Sequence, residues 1–327
     1  MAKNFDVFAK RGSDHSDRRL RLFDFVEDRS FDSPPSHVGQ PGIIGYPFDL
    51  GVERNNGRMG AKGGPGALRR SITNLAWHRE RPIADLGDVA EVSPSVVTGS
   101  NYFETSDAVA SSQSSLFGVV STAIEWGYFP VVLGGGHDLA AATTSAAIIN
   151  GAKSKKSCAI VNFDAHFDLR RAPAPNSGTG FLQSAEICSK VVAIDSFNYF
   201  VIGVAESSNT TLLFETANSI GAKFILDRDV DEKANGFIDD VIDSFDAIYI
   251  SVDLDSIESS SMKAVSAPAA YGITVKTIED SLMRLIRSGK VVGVDFAEFN
   301  PTFDDDSTSS KVAGRLIHSV LSLQSSL

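Results

Sequence analysis

The stretch Ala159-Ile-Val-Asn-Phe163, running straight into Asp164-Ala-His166-Phe-Asp168, decides how this chain is read. Its first half is apolar almost throughout, as suits a strand covered on both faces. Its second half sets three metal-ligating side chains at i, i+2 and i+4, which share one face of an extended segment. Alone, such a triplet is ordinary surface polarity. Its place at the carboxyl end of a strand changes its meaning, because sites in open parallel sheets form there.

Two more stretches repeat the arrangement. Pro130–Leu133 leads to Gly134-Gly-Gly-His137-Asp138, and Ala247–Val252 leads to Asp253-Leu-Asp255. No phosphate-loop or dinucleotide signature follows the glycines, so their expected use is close backbone approach while His137 is presented. Together His137, Asp164, His166, Asp168, Asp253 and Asp255 offer two imidazoles and four carboxylates. That oxygen-rich set is large enough for two divalent ions. The charges balance as well, whereas four converging carboxylates without metal would repel one another. The expected chemistry is two-metal hydrolysis, with the ions lowering the pKa of a shared water.

Working outward, eight apolar stretches read as strands: 42–46, 83–86, 130–133, 159–163, 199–204, 223–226, 247–252 and 291–296. Helical patterns separate them at 66–78, 106–126, 139–149, 210–219, 236–244 and 276–288, and a last one spans 311–324. Pro65 supports the first helix start, and Ser106, as a cap, supports the second. This alternation implies an α/β protein with a parallel sheet covered by helices on both faces. Residues 1–39 are dense in Arg and Asp, carry Pro34-Pro35 and show no sustained periodicity. They read as an N-terminal extension. Residues 40–327 show neither linker nor internal repeat and read as a single catalytic domain.

At 327 residues, 43% hydrophobic and 22% charged, the chain can bury one large α/β core. A net charge of −11 with no basic stripe argues against nucleic acid and anionic membrane as partners. The apolar runs are too short to span a bilayer, and the first residues lack a secretory pattern. A cytoplasmic location is the expectation. Cys158, opening a strand, and Cys188, within a helix, are expected to stay reduced.

Four motifs carry a family resemblance: Gly134-Gly-Gly-His137, Asn162-Phe-Asp-Ala-His-Phe-Asp168, Ser251-Val-Asp-Leu-Asp255 and Asp295-Phe-Ala-Glu-Phe-Asn-Pro301. In order, from about Gly42 to the C-terminus, they resemble the ureohydrolases, the arginase and agmatinase superfamily. The resemblance implies a three-layer α/β/α fold around an eight-stranded parallel sheet. It also implies two Mn2+ ions per subunit, other divalent ions being possible, and a homo-oligomer, either trimer or hexamer. By the same resemblance His137, Asp164, Asp168 and Asp253 hold one ion, while Asp164, His166, Asp253 and Asp255 hold the other.

Within the superfamily the sequence looks most like the formimidoylglutamases. That likeness rests on Gly51-Val-Glu-Arg-Asn-Asn-Gly-Arg-Met-Gly60 leading to Gly64-Pro65, on Asp168-Leu-Arg170 with Ser177-Gly-Thr179, and on Ser266-Ala-Pro-Ala-Ala270. Two positions depart from their pattern: Asp138 stands where Glu is common, and Gly180 where Pro is expected. Arginase-like enzymes place a further His after the Asp-x-His-x-Asp motif, and Leu169–Glu186 has none. His78 and His318, in helical patterns, read as structural or solvated, and His15 and His37 fall in the N-terminal segment.

The implied reaction is hydrolysis of a small amidino substrate, N-formimidoyl-L-glutamate, to L-glutamate and formamide, a step of histidine degradation. Asp168 is expected to carry a proton to the leaving amine, and Glu298 to pair with the cationic formimidoyl group. Arg54, Arg58 and Arg170 are candidate hooks for the substrate carboxylates. Asn176, Ser177 and Thr179 can donate hydrogen bonds from a loop. Lys62, Arg69, Arg70 and Arg171 read as surface or interface charges. A second enzymatic reading is a ureohydrolase of agmatine or guanidinobutyrate. A non-catalytic relative is disfavoured by the six ligands with Glu298. A mononuclear zinc deacetylase of shared fold is disfavoured by His137, Asp168 and Asp255.

Overall fold

All eight expected strands form, and a ninth joins them. In a computed structural model, residues 20–31, 33–89, 102–192 and 197–327 are described. His15 therefore lies outside the described residues. The strands are β1 (Val26–Asp28), β2 (Pro41–Tyr46), β3 (Ile83–Asp88), β4 (Phe129–Gly134), β5 (Cys158–Phe163), β6 (Tyr199–Val204), β7 (Lys223–Leu226), β8 (Ala247–Asp253) and β9 (Val291–Ala297). They make one sheet in the order β1-β3-β2-β4-β9-β8-β5-β6-β7. Every neighbouring pair is parallel.

The sheet therefore has nine strands where eight were expected. The extra strand, β1, comes from the segment read as an extension and pairs with β3 through Val26, Glu27 and Asp28. Three residues are too few to show a period. Pairing with an existing edge makes them a strand.

The helices are α1 (Leu50–Arg54), α2 (Gly64–Thr73), α3 (Ala108–Trp126), α4 (Ala140–Lys153), α5 (Gly180–Val192), α6 (Thr211–Ser219), α7 (Val230–Ser244), α8 (Val275–Arg287) and α9 (Thr308–Gln324). The five-residue α1 is too short to show in the sequence pattern, and α5 is the helix expected around Cys188. Asp107, and not Ser106, caps α3: its carboxylate accepts from the Val109 and Ala110 N–H groups.

Side chains alternate between two cores, as strand geometry requires. Val131 and Leu133 of β4 and Ile250 and Val252 of β8 pack with Leu68, Ile278, Leu282 and Leu316 on one face. Val132 and Tyr249 turn to the other face, with Leu116, Ala142, Phe181 and Ala217. Helices α2, α7, α8 and α9 thus cover one side, and α3 to α6 the other. The result is the three-layer arrangement.

Arg69, expected at the surface, is instead buried. Its guanidinium forks onto Asp85 at 2.9 and 3.1 Å and reaches Asp88 at 2.6 Å. A Cβ on Gly45 would lie 1.8 Å from an Asp88 oxygen, so the pair needs a glycine there. The acidic partners that make burial tolerable sit on β3, too far along the chain for local patterning to reveal.

The strand order positions the site. Strands β4 and β5 are consecutive in the chain, yet β9 and β8 lie between them. Such a reversal opens a crevice at the carboxyl edge of the sheet.

Candidate metal centre

Three strand ends deliver the expected ligands into that crevice, and a fourth strand between them brings Glu298. His137 follows β4, Asp164 to Asp168 follow β5, Asp253 ends β8 with Asp255 just beyond, and Glu298 follows β9. His137, Asp164, Asp168 and Asp253 offer ligand atoms that lie within 4.8 Å of one another. Asp164, His166 and Asp255 form a second such group. Asp164 is common to both. Asp253 gathers with the first set alone, its Oδ1 accepting the Asp255 N–H at 2.8 Å.

His137 sits at the hub. Its Nδ1 lies 3.0 Å from Asp168 Oδ2, 3.0 Å from Asp253 Oδ2 and 3.3 Å from Asp164 Oδ2. Its Nε2 is 2.9 Å from Ser251 Oγ, and that hydroxyl donates to Asp295 at 2.6 Å. Asp295 also accepts from Thr143 Oγ1 at 2.8 Å. With the Ser251 proton spent on a carboxylate, Ser251 must accept from the imidazole, so Nε2 carries hydrogen. In the neutral ring this leaves the Nδ1 lone pair aimed at the three carboxylates. His166 Nδ1 faces Asp164 at 3.5 Å and Asp255 at 3.4 Å.

Divalent cations suit this donor set. Burial disfavours a charged His137, yet Asp253, Asp164 and Asp168 hold it well above the usual imidazole range. A single proton on Nδ1 can bond only one of three carboxylates. His137 Nδ1 and Asp255 Oδ1 are buried without a hydrogen-bond partner. A positive ion among these oxygens answers each deficit at once.

Two residues here adopt left-handed backbone, Asp168 at φ 49° and Glu298 at φ 67°. Non-glycine residues persist in that region where surrounding structure overdetermines them, often at functional sites. Glu298 Oε1 accepts the His137 N–H at 2.8 Å, while Oε2 is buried with no partner. Without metal to offset the neighbouring carboxylates, burial and then Asp253 raise the Glu298 carboxyl well above the ordinary range. Asp168 is also raised, by burial and then Asp164.

A cavity of about 250 Å3 opens over this floor. Arg58, Arg170 and Ser177 reach its wall, as do Asn55 and Ser266 from the quoted motifs and Asn209, which no sequence motif had marked. Arg54 does not line it. Its guanidinium pairs with Asp107 at 2.9 Å and donates to the Pro175 carbonyl at 3.2 Å. Asn176 and Thr179 lie behind the wall and brace the loop, Asn176 Oδ1 accepting from Gly178 and Thr179 Oγ1 donating to the Asn176 carbonyl.

The two wall arginines differ. Arg58 donates Nε to the Ser266 carbonyl at 3.1 Å, bonds the Val265 carbonyl and lies 3.9 Å over the Phe303 ring. The Arg170 guanidinium has no ion pair or hydrogen bond among the described residues. A Cβ on Gly178 would lie 2.9 Å from Arg170 Cδ, so the side chain runs along a surface that only glycine leaves clear.

The two departures from pattern also have places. Asp138 is buried, accepts from Tyr46 OH at 2.9 Å, and is pushed up by burial to about 7. Gly180 packs beneath the His137 turn, where a Cβ would meet the His137 carbonyl at 3.1 Å.

Comparison with known proteins agrees with this geometry. The model of the arginase family matches residues 40–322. The chain is similar to the formimidoylglutamase of Chromobacterium violaceum, with 41% identity over 288 residues, 86% of this chain and 88% of that one. It is also similar to the formimidoylglutamase of Aromatoleum aromaticum, 38% identical over 92% of this chain and 86% of that one. Among solved structures, Trypanosoma cruzi formiminoglutamase with two Mn2+ ions superposes at TM-score 0.76 and 25% identity, covering 93% and 98% of the two chains. Bacillus subtilis formimidoylglutamase, 20% identical with TM-score 0.78 over 98% and 96%, shares the fold. With candidate metal ligands on three strand ends and a family model spanning nearly all of the sheet, this chain belongs to the arginase family.

Proposed function

We propose that this protein hydrolyses N-formimidoyl-L-glutamate to L-glutamate and formamide. The observation that carries the reading is the polarity of the cavity. On its floor Glu298 offers a buried carboxylate oxygen with no partner, and on its wall Arg170 offers a guanidinium with none among the described residues. A substrate with a cationic amidine at one end and carboxylates at the other meets both needs. Agmatine, cationic at both ends, would set a positive charge near Arg170 and Arg58. The relatives named formimidoylglutamase, at 38–41% identity, support the same choice.

His137, Asp164, Asp168 and Asp253 would hold one Mn2+ ion, and Asp164, His166, Asp253 and Asp255 the other. Bound, the ions supply Lewis acidity and a water of lowered pKa. The protein's own groups do the rest. Glu298 Oε2 pairs with the amidinium and sets its plane, its Oε1 already fixed by the His137 N–H. Asp168, beside the reacting centre, passes on the proton that the departing amine must gain. Arg170 receives a substrate carboxylate. Arg58, with Ser266, clamps the two segments of the mouth, and Asn55 steadies Ser177 at 3.1 Å. Arg54, Asn176 and Thr179 act from behind the wall, holding the loop that carries Ser177.

The protein is further assigned to a reducing cytoplasm, as a homo-oligomer. Support for the first is that Cys158 and Cys188 are free and buried, their thiols pushed up by burial to about 12 and about 11. Support for the second is the family likeness, and light scattering in solution tests it.

Formamide release by the Mn2+-loaded protein is expected with N-formimidoyl-L-glutamate, and not with arginine, agmatine or guanidinobutyrate. Faster turnover of guanidinobutyrate would sink the proposed substrate while leaving the metal centre intact.

A further inference from the structure

We propose that Asn209, in the loop between β6 and α6, is a positioning residue that sets His166 and so governs the second ion selectively. This rests on the assignment of His166 as a ligand of that ion.

In 164–168 the even-numbered side chains turn to the candidate ligand cluster, while Phe167 turns away from it. Phe167 packs edge-on against Phe214 and Phe224. On that outward side the Asn209 carboxamide spans the two peptide groups flanking His166. Its Nδ2 donates to the Ala165 carbonyl at 2.9 Å, and its Oδ1 accepts the Phe167 N–H at 3.1 Å. Nδ2 also donates to the Ala205 carbonyl at 2.9 Å, tying the clamp to its own loop. The side chain is 7% exposed and every polar atom is used.

Fixing the carbonyl before a residue and the N–H after it fixes that residue's φ and ψ, and with them the direction of its side chain. His166 needs this. Its ring is 25% exposed, and the only ion-pair contacts it makes among the described residues are with Asp164 and Asp255, its fellow ligands. His137 is held quite differently, by Glu298 at its N–H and by Ser251 and Asp295 at its Nε2. Asn209 touches none of those groups. The two histidines therefore have separate supports, and removing Asn209 should loosen the one that distinguishes the second ligand group.

The test is Mn2+ titration of the metal-stripped full-length protein by calorimetry, with electron paramagnetic resonance to follow spin coupling between neighbouring ions. Asn209→Ala is expected to keep one ion at wild-type affinity and to weaken the other about 10–100-fold. Asn209→Asp keeps size and the acceptor for Phe167 N–H but sets an oxygen against two carbonyls. It is expected to show the same selective loss, so the result does not depend on how one variant folds. His166→Ala should lose the same ion, and adding Asn209→Ala to it should cost nothing further. Two ions bound as in wild type by both Asn209 variants, or both ions weakened equally, would overturn the proposal while His166→Ala still lost one. Two ions retained by His166→Ala would instead overturn the assignment of His166 itself, and the proposal with it.

Discussion

The floor and the mouth of the cavity are built on different terms. Every group on the floor stands at or just past a strand end, and each strand is locked in register with two neighbours. The mouth is made of loops, 55–58, 170–178 and 265–267, whose side chains hold one another. Arg58 is spent on carbonyls of the facing loop, Arg54 on Asp107, and Arg170 alone of the three is left for a ligand. A strand end fixes where a side chain points, whereas a loop arginine has many rotamers and goes where its strongest partner lies. In the proposed function, chemistry therefore belongs to the floor and selectivity to the mouth.

Four substitutions and one change of pH break or sharpen this contrast. The largest effect is expected from Asp253→Asn, which removes charge from the first ligand set. Turnover should fall roughly 10³-fold or more, with loss of bound metal measured by elemental analysis. Near-normal turnover would mean that the floor does not carry the chemistry. Next, Glu298→Gln keeps an oxygen for the His137 N–H but loses the charge facing the substrate. A drop in kcat on the order of 10²-fold is expected, with metal content unchanged. A change confined to KM would move Glu298 from the reacting end to simple binding.

At the mouth, Arg170→Ala should raise KM about 10–100-fold with little change in kcat, the loss of one charge-assisted contact. Arg58→Ala should instead lower thermal stability together with activity, because it unpins two segments. Equal and purely KM effects from the two would erase the distinction drawn between them.

The smallest effect concerns the floor without metal. Burial pushes Asp138 up to about 7 and Asp255 up to about 6. His137 and His166, against the effect of burial, are held well above the imidazole range by facing carboxylates. All four groups bind protons more tightly when folded than when unfolded. For the acids, stability is lost as pH rises from the ordinary carboxylate value through about 6 and about 7. For the histidines the loss begins at the ordinary imidazole value and continues upward. The metal-free protein should therefore melt lower at about pH 8 than at about pH 5, and Mn2+ should raise Tm more at the higher pH. A metal-free Tm that climbed over that interval would contradict the proton balance assigned to the floor.

Much of the floor is legible in the amino-acid sequence. Continuous apolar runs such as Ala159–Phe163 and Ala247–Val252 mark strands buried on both faces, and the ligands that follow them mark one edge of a parallel sheet. Those signals are local, and the folded chain keeps them. The strand β1, the burial of Arg69, the diversion of Arg54 and the clamp formed by Asn209 are not legible there. Each depends on a partner far along the chain: β3 for β1, Asp85 for Arg69, Asp107 for Arg54, and the peptides around His166 for Asn209. Periodicity and strand-end chemistry follow from the geometry of a few consecutive residues, so sequence alone determined the fold class and the set of candidate ligands. Which polar side chain finds which partner depends on distances that exist only once the sheet and its loops have closed, and that was decided by the tertiary structure.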